Sequence, residues 1–139
     1  MRLSATDAHR HSATSRTRYA FLTLPDYSMI ALTNAIEPLR MANRVSAQNA
    51  YEWLVVTPDG EPVTASNGLM LTPTRCLADA PDVDMVFVCG GVNVREAVSP
   101  ALVNVLRRLA ARRMPLGALC TGGYALAQAG LLDGYHATI

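Results

Sequence analysis

The chain has 139 residues, half of them hydrophobic and only 17% charged, which is a globular composition with enough length for one buried core. Twelve Lys and Arg against eleven Asp and Glu leave a formal charge of +1, too balanced to point to nucleic acid or a membrane surface. Cys76, Cys89 and Cys120 are an odd set without CxxC spacing, which argues against a disulfide framework or a zinc site.

A reducing, cytoplasmic setting is therefore expected. It agrees with the lack of an apolar run near the roughly 18 residues of a membrane span. The N-terminus also lacks the apolar core of a signal peptide.

Residues 1–17 are mostly Ser, Thr, Ala, Arg and His, and too little there is apolar to offset the entropy of ordering, so a disordered arm is predicted. His9 and His11 within it are read as solvated, and no metal site is expected. Residues 18–24 (RYAFLTL) form the first predicted strand, closed by Pro25-Asp26. Ser28 is a helix N-cap, and Met29, Leu32, Ile36 and Leu39 then recur with helical spacing to about Asn43. Pro38 should kink or loosen that helix. Glu37 and Arg40, three residues apart, read as a surface ion pair.

Residues 51–57 (YEWLVVT) are a second strand, followed by the turn Pro58-Asp59-Gly60. Two short extended pieces, residues 62–65 and 69–72, flank Ser66-Asn67-Gly68, and the Asn-Gly pair marks a hairpin. Cys76 is read as packing within a short segment that ends at Pro81. Residues 84–89 (DMVFVC) are nearly all apolar, the pattern of a parallel strand buried on both faces, and they run into Gly90-Gly91. Residues 100–113 are helical, with Pro100 at the first position and Leu102, Val105, Leu106 and Leu109 on one face. Arg107, Arg108, Arg112 and Arg113 crowd its C-terminus, where they complement the helix dipole and solvate the outer face. That reading is preferred to a DNA-contacting patch.

The chain is organised around residues 114–127 (MPLGALCTGGYALA): a short buried strand, a sharp turn at Cys120 and a helix over residues 122–129. Gly117, Ala118, Gly122 and Gly123 are the small residues that so tight a strand-to-helix turn demands. The turn holds the thiol at the carboxyl edge of a sheet, at a helix N-terminus that favours an anion. Gly130 ends the helix as a C′ glycine, and Ala137, Thr138 and Ile139 look like the start of another strand. Strands alternating with helices predict an α/β, doubly wound, flavodoxin-like parallel sheet with a small side hairpin and its C-terminal part missing. A piece cut there is expected to be marginal or oligomeric on its own.

Gly90-Gly91 and Cys120-Thr121 both fall at strand ends, and parallel strands would open both at the ligand-binding edge. The N–H groups of Gly91 and Thr121 could then converge on one oxygen beside Cys120, as in an oxyanion hole. The expected ligand-binding residues are Gly90, Gly91, Cys120, Thr121 and Gly122. Tyr27, Trp53 and Tyr124 are candidates for an aromatic wall facing a cation.

Gly90-Gly91, Gly117-Ala118-Leu119-Cys120-Thr121-Gly122 and residues 126–134 (LAQAGLLDG) together resemble the class I glutamine amidotransferase-like (intracellular protease-type) superfamily. Within it, residues 21–28 (FLTLPDYS), 36–43 (IEPLRMAN) and 65–69 (ASNGL) are similar to the GlxA-type branch of AraC-family transcriptional regulators. The resemblance implies that residues 18–139 are an N-terminal sensor domain for a small nitrogenous metabolite, an amino acid or a betaine-like compound. It also implies a homodimer, no cofactor, and DNA binding only through a helix-turn-helix domain beyond Ile139. Hydrolytic members often carry His after the cysteine, where this chain has Thr121. Many also carry a carboxylate at the position matched to Ala31, so a non-catalytic domain is expected. The alternative is a hydrolase or hydratase of the isonitrile hydratase type, in which Cys120 would act with Glu37 or Asp26. His136 is the one histidine outside the arm, and nothing brings it to the thiol. A redox-sensing role for Cys120 is compatible with regulation.

Overall fold

In the computed structural model, residues 16–79 and 82–138 are described. The order is β1 (Thr17–Thr23), α1 (Met29–Ser46), β2 (Tyr51–Thr57), β3 (Val63–Thr64), β4 (Met70–Leu71) and β5 (Arg75–Cys76). Then come β6 (Met85–Cys89), α2 (Val94–Ala97), α3 (Pro100–Ala111), β7 (Leu116–Leu119) and α4 (Gly123–Gln128). Single 3-10 turns occupy Leu77–Asp79 and Cys120–Gly122.

β1, β2, β5, β6 and β7 form one parallel sheet in the order β5-β2-β1-β6-β7, and β3 and β4 form a separate antiparallel hairpin. The pleat sends alternate residues to opposite faces, and both faces are covered. On one face Ala20, Leu22, Leu54, Val56, Val86 and Val88 pack with Leu102 and Leu106 of α3 and Ala125 and Leu126 of α4. On the other, Phe21 and Cys89 pack with Tyr27 and Leu32, and Ile36, Leu39, Trp53 and Phe87 close over them. This two-sided burial is why β6 reads as one apolar run.

The local signals for α1 and α3 hold. The Ser28 hydroxyl accepts the Ala31 N–H at 3.3 Å, and the Ser99 hydroxyl accepts the Leu102 N–H at 3.1 Å, with Pro100 opening α3. α1 runs past Pro38 as expected and ends later than expected, at Ser46 instead of about Asn43. Pro38 and Asn34 both lie on the exposed side, where water can take the carbonyl that proline leaves unbonded. Asn43 then ties the helix end to β2, its amide donating to Tyr51 O at 2.8 Å and its oxygen accepting Tyr51 N–H at 3.0 Å.

Three other expectations are corrected. Cys76 belongs to a fifth sheet strand, with Thr57 opposite Cys76 and Val56 opposite Arg75; its thiol donates to Pro58 O at 3.2 Å. The helix after Cys120 is split into a 3-10 turn followed by α4, which is only six residues long. Ala137 and Thr138 are in no strand, and Ile139 lies outside the described residues. The predicted arm lies outside them up to residue 15, but its last two residues join the fold. Arg16 pairs with Glu52 at 3.9 Å and Thr17 opens β1. No helix among the described residues is long and apolar enough to cross a membrane.

Candidate functional site

Because the strands are parallel, the chain leaves β1, β6 and β7 at one edge of the sheet, and three turns meet there. The Leu24 N–H donates to Cys89 O at 3.1 Å, and the Ser28 N–H donates to Gly90 O at 2.9 Å. The Val92 N–H returns to Asp26 O at 3.1 Å, so Tyr27 and Gly91 form an antiparallel bridge. From the third turn, the Thr121 hydroxyl donates to Gly91 O at 2.6 Å. The hairpin joins as well: the Asp26 N–H donates to Thr64 O at 2.9 Å and the Ser66 N–H to Tyr27 O at 3.0 Å.

Two glycines make this approach possible. A Cβ on Gly91 would overlap the Asp26 carbonyl, and one on Gly122 would overlap the Val88 carbonyl. Neither obstacle is a side chain that could swing away. Gly90 is used for bonding as well: its N–H donates to Leu119 O at 3.2 Å.

At the centre, Leu119 is extended (φ −117°, ψ 138°) and Gly122 is helical (φ −57°, ψ −22°), while Cys120 between them is left-handed at φ 51°. A side chain in that region costs about 1–2 kcal/mol, and such residues persist only where their surroundings hold them. The side chain of this strained residue is exposed. The N–H of Gly91 makes no hydrogen bond among the described residues, and Thr121 stands in the first turn, where helix N–H groups have no partner within the helix. The site therefore holds an exposed thiol and the partnerless N–H of the buried Gly91, with Thr121 Oγ1 already committed to Gly91 O.

Acids and bases are arranged differently. Glu37 is on the exposed side of α1 in an ion pair with Arg40 at 2.6 Å. The Arg40 hydrogen bond holds its carboxyl below the ordinary value, which makes it a weak base. The Asp26 carboxylate accepts from the Asn93 amide at 3.1 Å. His136 lies exposed in the last described segment, and Ala31 presents only a methyl group in the first turn of α1. No cluster of three or more potential metal ligands occurs among the described residues.

The aromatic wall needs correcting. Tyr27 is 0% exposed and belongs to the core, where burial raises its hydroxyl pKa. Trp53 packs into the same cluster, and Tyr124 is half-buried on α4. Asn93 is a residue of this sheet edge that the sequence reading missed. Asp26 and Asn93 are both left-handed, at φ 59° and 56°, a conformation Asp and Asn tolerate best among non-glycine residues. Their side chains join the turn after β1 to the turn after β6.

The DJ-1/PfpI family pattern matches residues 20–139. The chain is 46% identical over 119 residues to the HTH-type transcriptional regulator GbdR of Pseudomonas aeruginosa, covering 86% of this chain and 32% of that one. It is 33% identical over 119 residues to an isonitrile hydratase of Pseudomonas putida, covering 85% of this chain and 50% of the enzyme. A crystal structure of an AraC family transcriptional regulator from Pseudomonas putida superposes with a TM-score of 0.76 at 34% identity, covering 86% of this chain and 64% of that one. The chain thus spans about a third of the length of GbdR. With strand–Gly-Gly and the Cys120 elbow meeting at one sheet edge, it belongs to the DJ-1/PfpI family.

Proposed function

We propose that this chain is the non-catalytic, metabolite-sensing domain of a helix-turn-helix transcriptional regulator and that it binds a small nitrogenous metabolite at the Cys120 turn. The observation that carries the reading is the partnerless N–H of Gly91 beside an exposed thiol, with Thr121 in the first turn after it. A donor so placed suits a carboxylate or carbonyl oxygen. Cys120 and Gly122 complete the site, and Gly90 shapes it through its bonds to Leu119 and Ser28. The non-catalytic half rests on Ala31, on Thr121 in place of histidine, and on Glu37 being bound to Arg40. Likeness to GbdR supports the regulatory role, and in the whole protein a separate helix-turn-helix domain would bind DNA. A homodimer in the cytoplasm is part of the same proposal.

Calorimetry with amino acids and betaine-type ligands tests it, run beside amidase and hydratase assays. Saturable binding without turnover is the expected result. Cys120→Ser should keep most of the affinity, because hydroxyl and thiol differ little in shape and the backbone donors remain. Gly91→Val should abolish binding. The hydratase reading draws on the 33% identity to isonitrile hydratase, with Asp26 as the candidate partner of Cys120. Turnover that disappears in Cys120→Ser would decide for that enzyme.

A further inference from the structure

The four arginines at the end of α3 do not share one role. The Arg107 guanidinium donates to Ala129 O at 3.0 Å and so holds the chain just after α4. Arg108 and Arg112, one turn apart, border an open groove of about 690 Å³ on the α3 face of the sheet. Val83, Val86, Val105, Leu109 and Met114 also line it. Val83 and Val86 are buried at its floor, while Val105, Leu109 and Met114 are half-buried, so the groove presents apolar surface to solvent. Neither Arg108 nor Arg112 has an acidic partner within 4.0 Å among the described residues.

We propose that this groove is a second binding site, separate from the Cys120 turn, for a small amphipathic carboxylate whose apolar tail lies along the groove. Its volume lies within the roughly 300–1,000 Å³ usual for small-molecule sites. The apolar residues take the chain, and charge complementarity selects the head group. Guanidinium groups pair with carboxylates through two parallel hydrogen bonds, and residues four apart on a helix present their side chains side by side. A neutral or cationic head would forfeit both. None of Gly91, Cys120, Thr121 and Gly122 lines the groove, so this site stands or falls independently of the metabolite proposal.

Decanoate, decylamine and hexanoate are the probes, titrated calorimetrically below their micellar concentrations. Decanoate should bind one site with a dissociation constant of roughly millimolar or tighter, as suits a ligand of about twelve heavy atoms. Decylamine should bind at least about tenfold more weakly, and hexanoate should lose about threefold to fourfold per missing methylene. Arg108→Gln with Arg112→Gln should weaken decanoate by about tenfold or more, since both positions are exposed and the fold should survive the change. The Met114 methyl resonance should shift with decanoate in the unmodified protein, which locates the ligand in the groove. Decylamine binding as tightly as decanoate, an unaffected double variant, an unmoved Met114 signal, or no decanoate binding would each overturn the proposal.

Discussion

Cys89 ends β6 and Cys120 follows the end of its neighbour β7, so that Cys89 lies opposite Leu119, the residue just before Cys120. Despite that proximity the two thiols live in different chemistry. Cys89 keeps the strand's own conformation, so the pleat turns it into the core beside Phe21 and Tyr27, where it is 1% exposed. Loss of water around it pushes its pKa up to about 12. Cys120 departs from the strand through a left-handed backbone at φ 51° and stands exposed at the sheet edge. One pleat position and a left-handed turn separate a buried packing residue from an exposed thiol.

Thiol reactivity should show that contrast most strongly. Iodoacetamide at pH 8, applied to a Cys76→Ser background so that two thiols remain, should alkylate Cys120 readily. Cys89 should lag far behind, because only the thiolate reacts and burial both suppresses it and keeps the reagent out. Peptide mass spectrometry over time measures both rates. Comparable rates would mean that the end of β6 opens as freely as the elbow.

The next largest effect should come from the room that lets Cys120 stand where it does. Gly122→Ala puts a methyl group against the Val88 carbonyl, and backbone cannot yield as a side chain can. A loss of about 3 kcal/mol in chemical denaturation is expected, at the upper end for overpacking. Gly68→Ala is the matched control. It sits at φ +84° in the hairpin with nothing within 4 Å of a new Cβ, so it should cost only about 1–2 kcal/mol of backbone strain.

How much of this was legible in the sequence follows from where each signal lies. The Cys120 elbow was readable because crowding by backbone leaves glycine at positions such as Gly122, and α3 because Leu102 and Leu106 repeat with the helix. The hairpin was readable from Asn67-Gly68. β5 was not, since two residues with an exposed Arg75 carry no pattern of their own and become a strand only by pairing with Val56 and Thr57. Tyr27 could not be placed by type, because a tyrosine suits a core or a ligand wall equally and only its packing beside Cys89 decides. Likewise the separation of Arg107 from Arg108 and Arg112 depends on α4, a tertiary neighbour the arginine run does not encode.

Alkaline stability separates the two thiols by equilibrium instead of rate. Cys89 is raised from an ordinary 9.0 to about 12, so between those values the unfolded chain gives up a proton that the folded one retains. Its stabilising contribution is fully present below about pH 9 and is lost as pH rises, by up to about 1.4 kcal/mol per unit. The raised pKa of Tyr27 adds to the loss above its ordinary 10.0. Denaturation midpoints from pH 8 to 11 should fall accordingly, and Cys89→Ala should flatten the cysteine part of the slope. An unchanged slope would show that the buried thiol does not govern it.

The smallest effect is the most direct test of what holds Cys120 in place. Glycine adopts the left-handed conformation at no steric cost, whereas a cysteine there carries about 1–2 kcal/mol of strain. Cys120→Gly should therefore stabilise the folded chain, though by only about 1 kcal/mol, because glycine also leaves the unfolded state with more freedom. At Cys89 the same replacement should do the opposite. It removes a buried side chain from the cluster of Phe21 and Tyr27 and adds freedom to the unfolded chain, so a loss of about 2 kcal/mol or more is expected. Paired denaturation curves for Cys120→Gly and Cys89→Gly read the difference in sign. If Cys120→Gly is destabilising, contacts of the Cys120 side chain itself hold the left-handed elbow, and the backbones of its neighbours are not enough to support it.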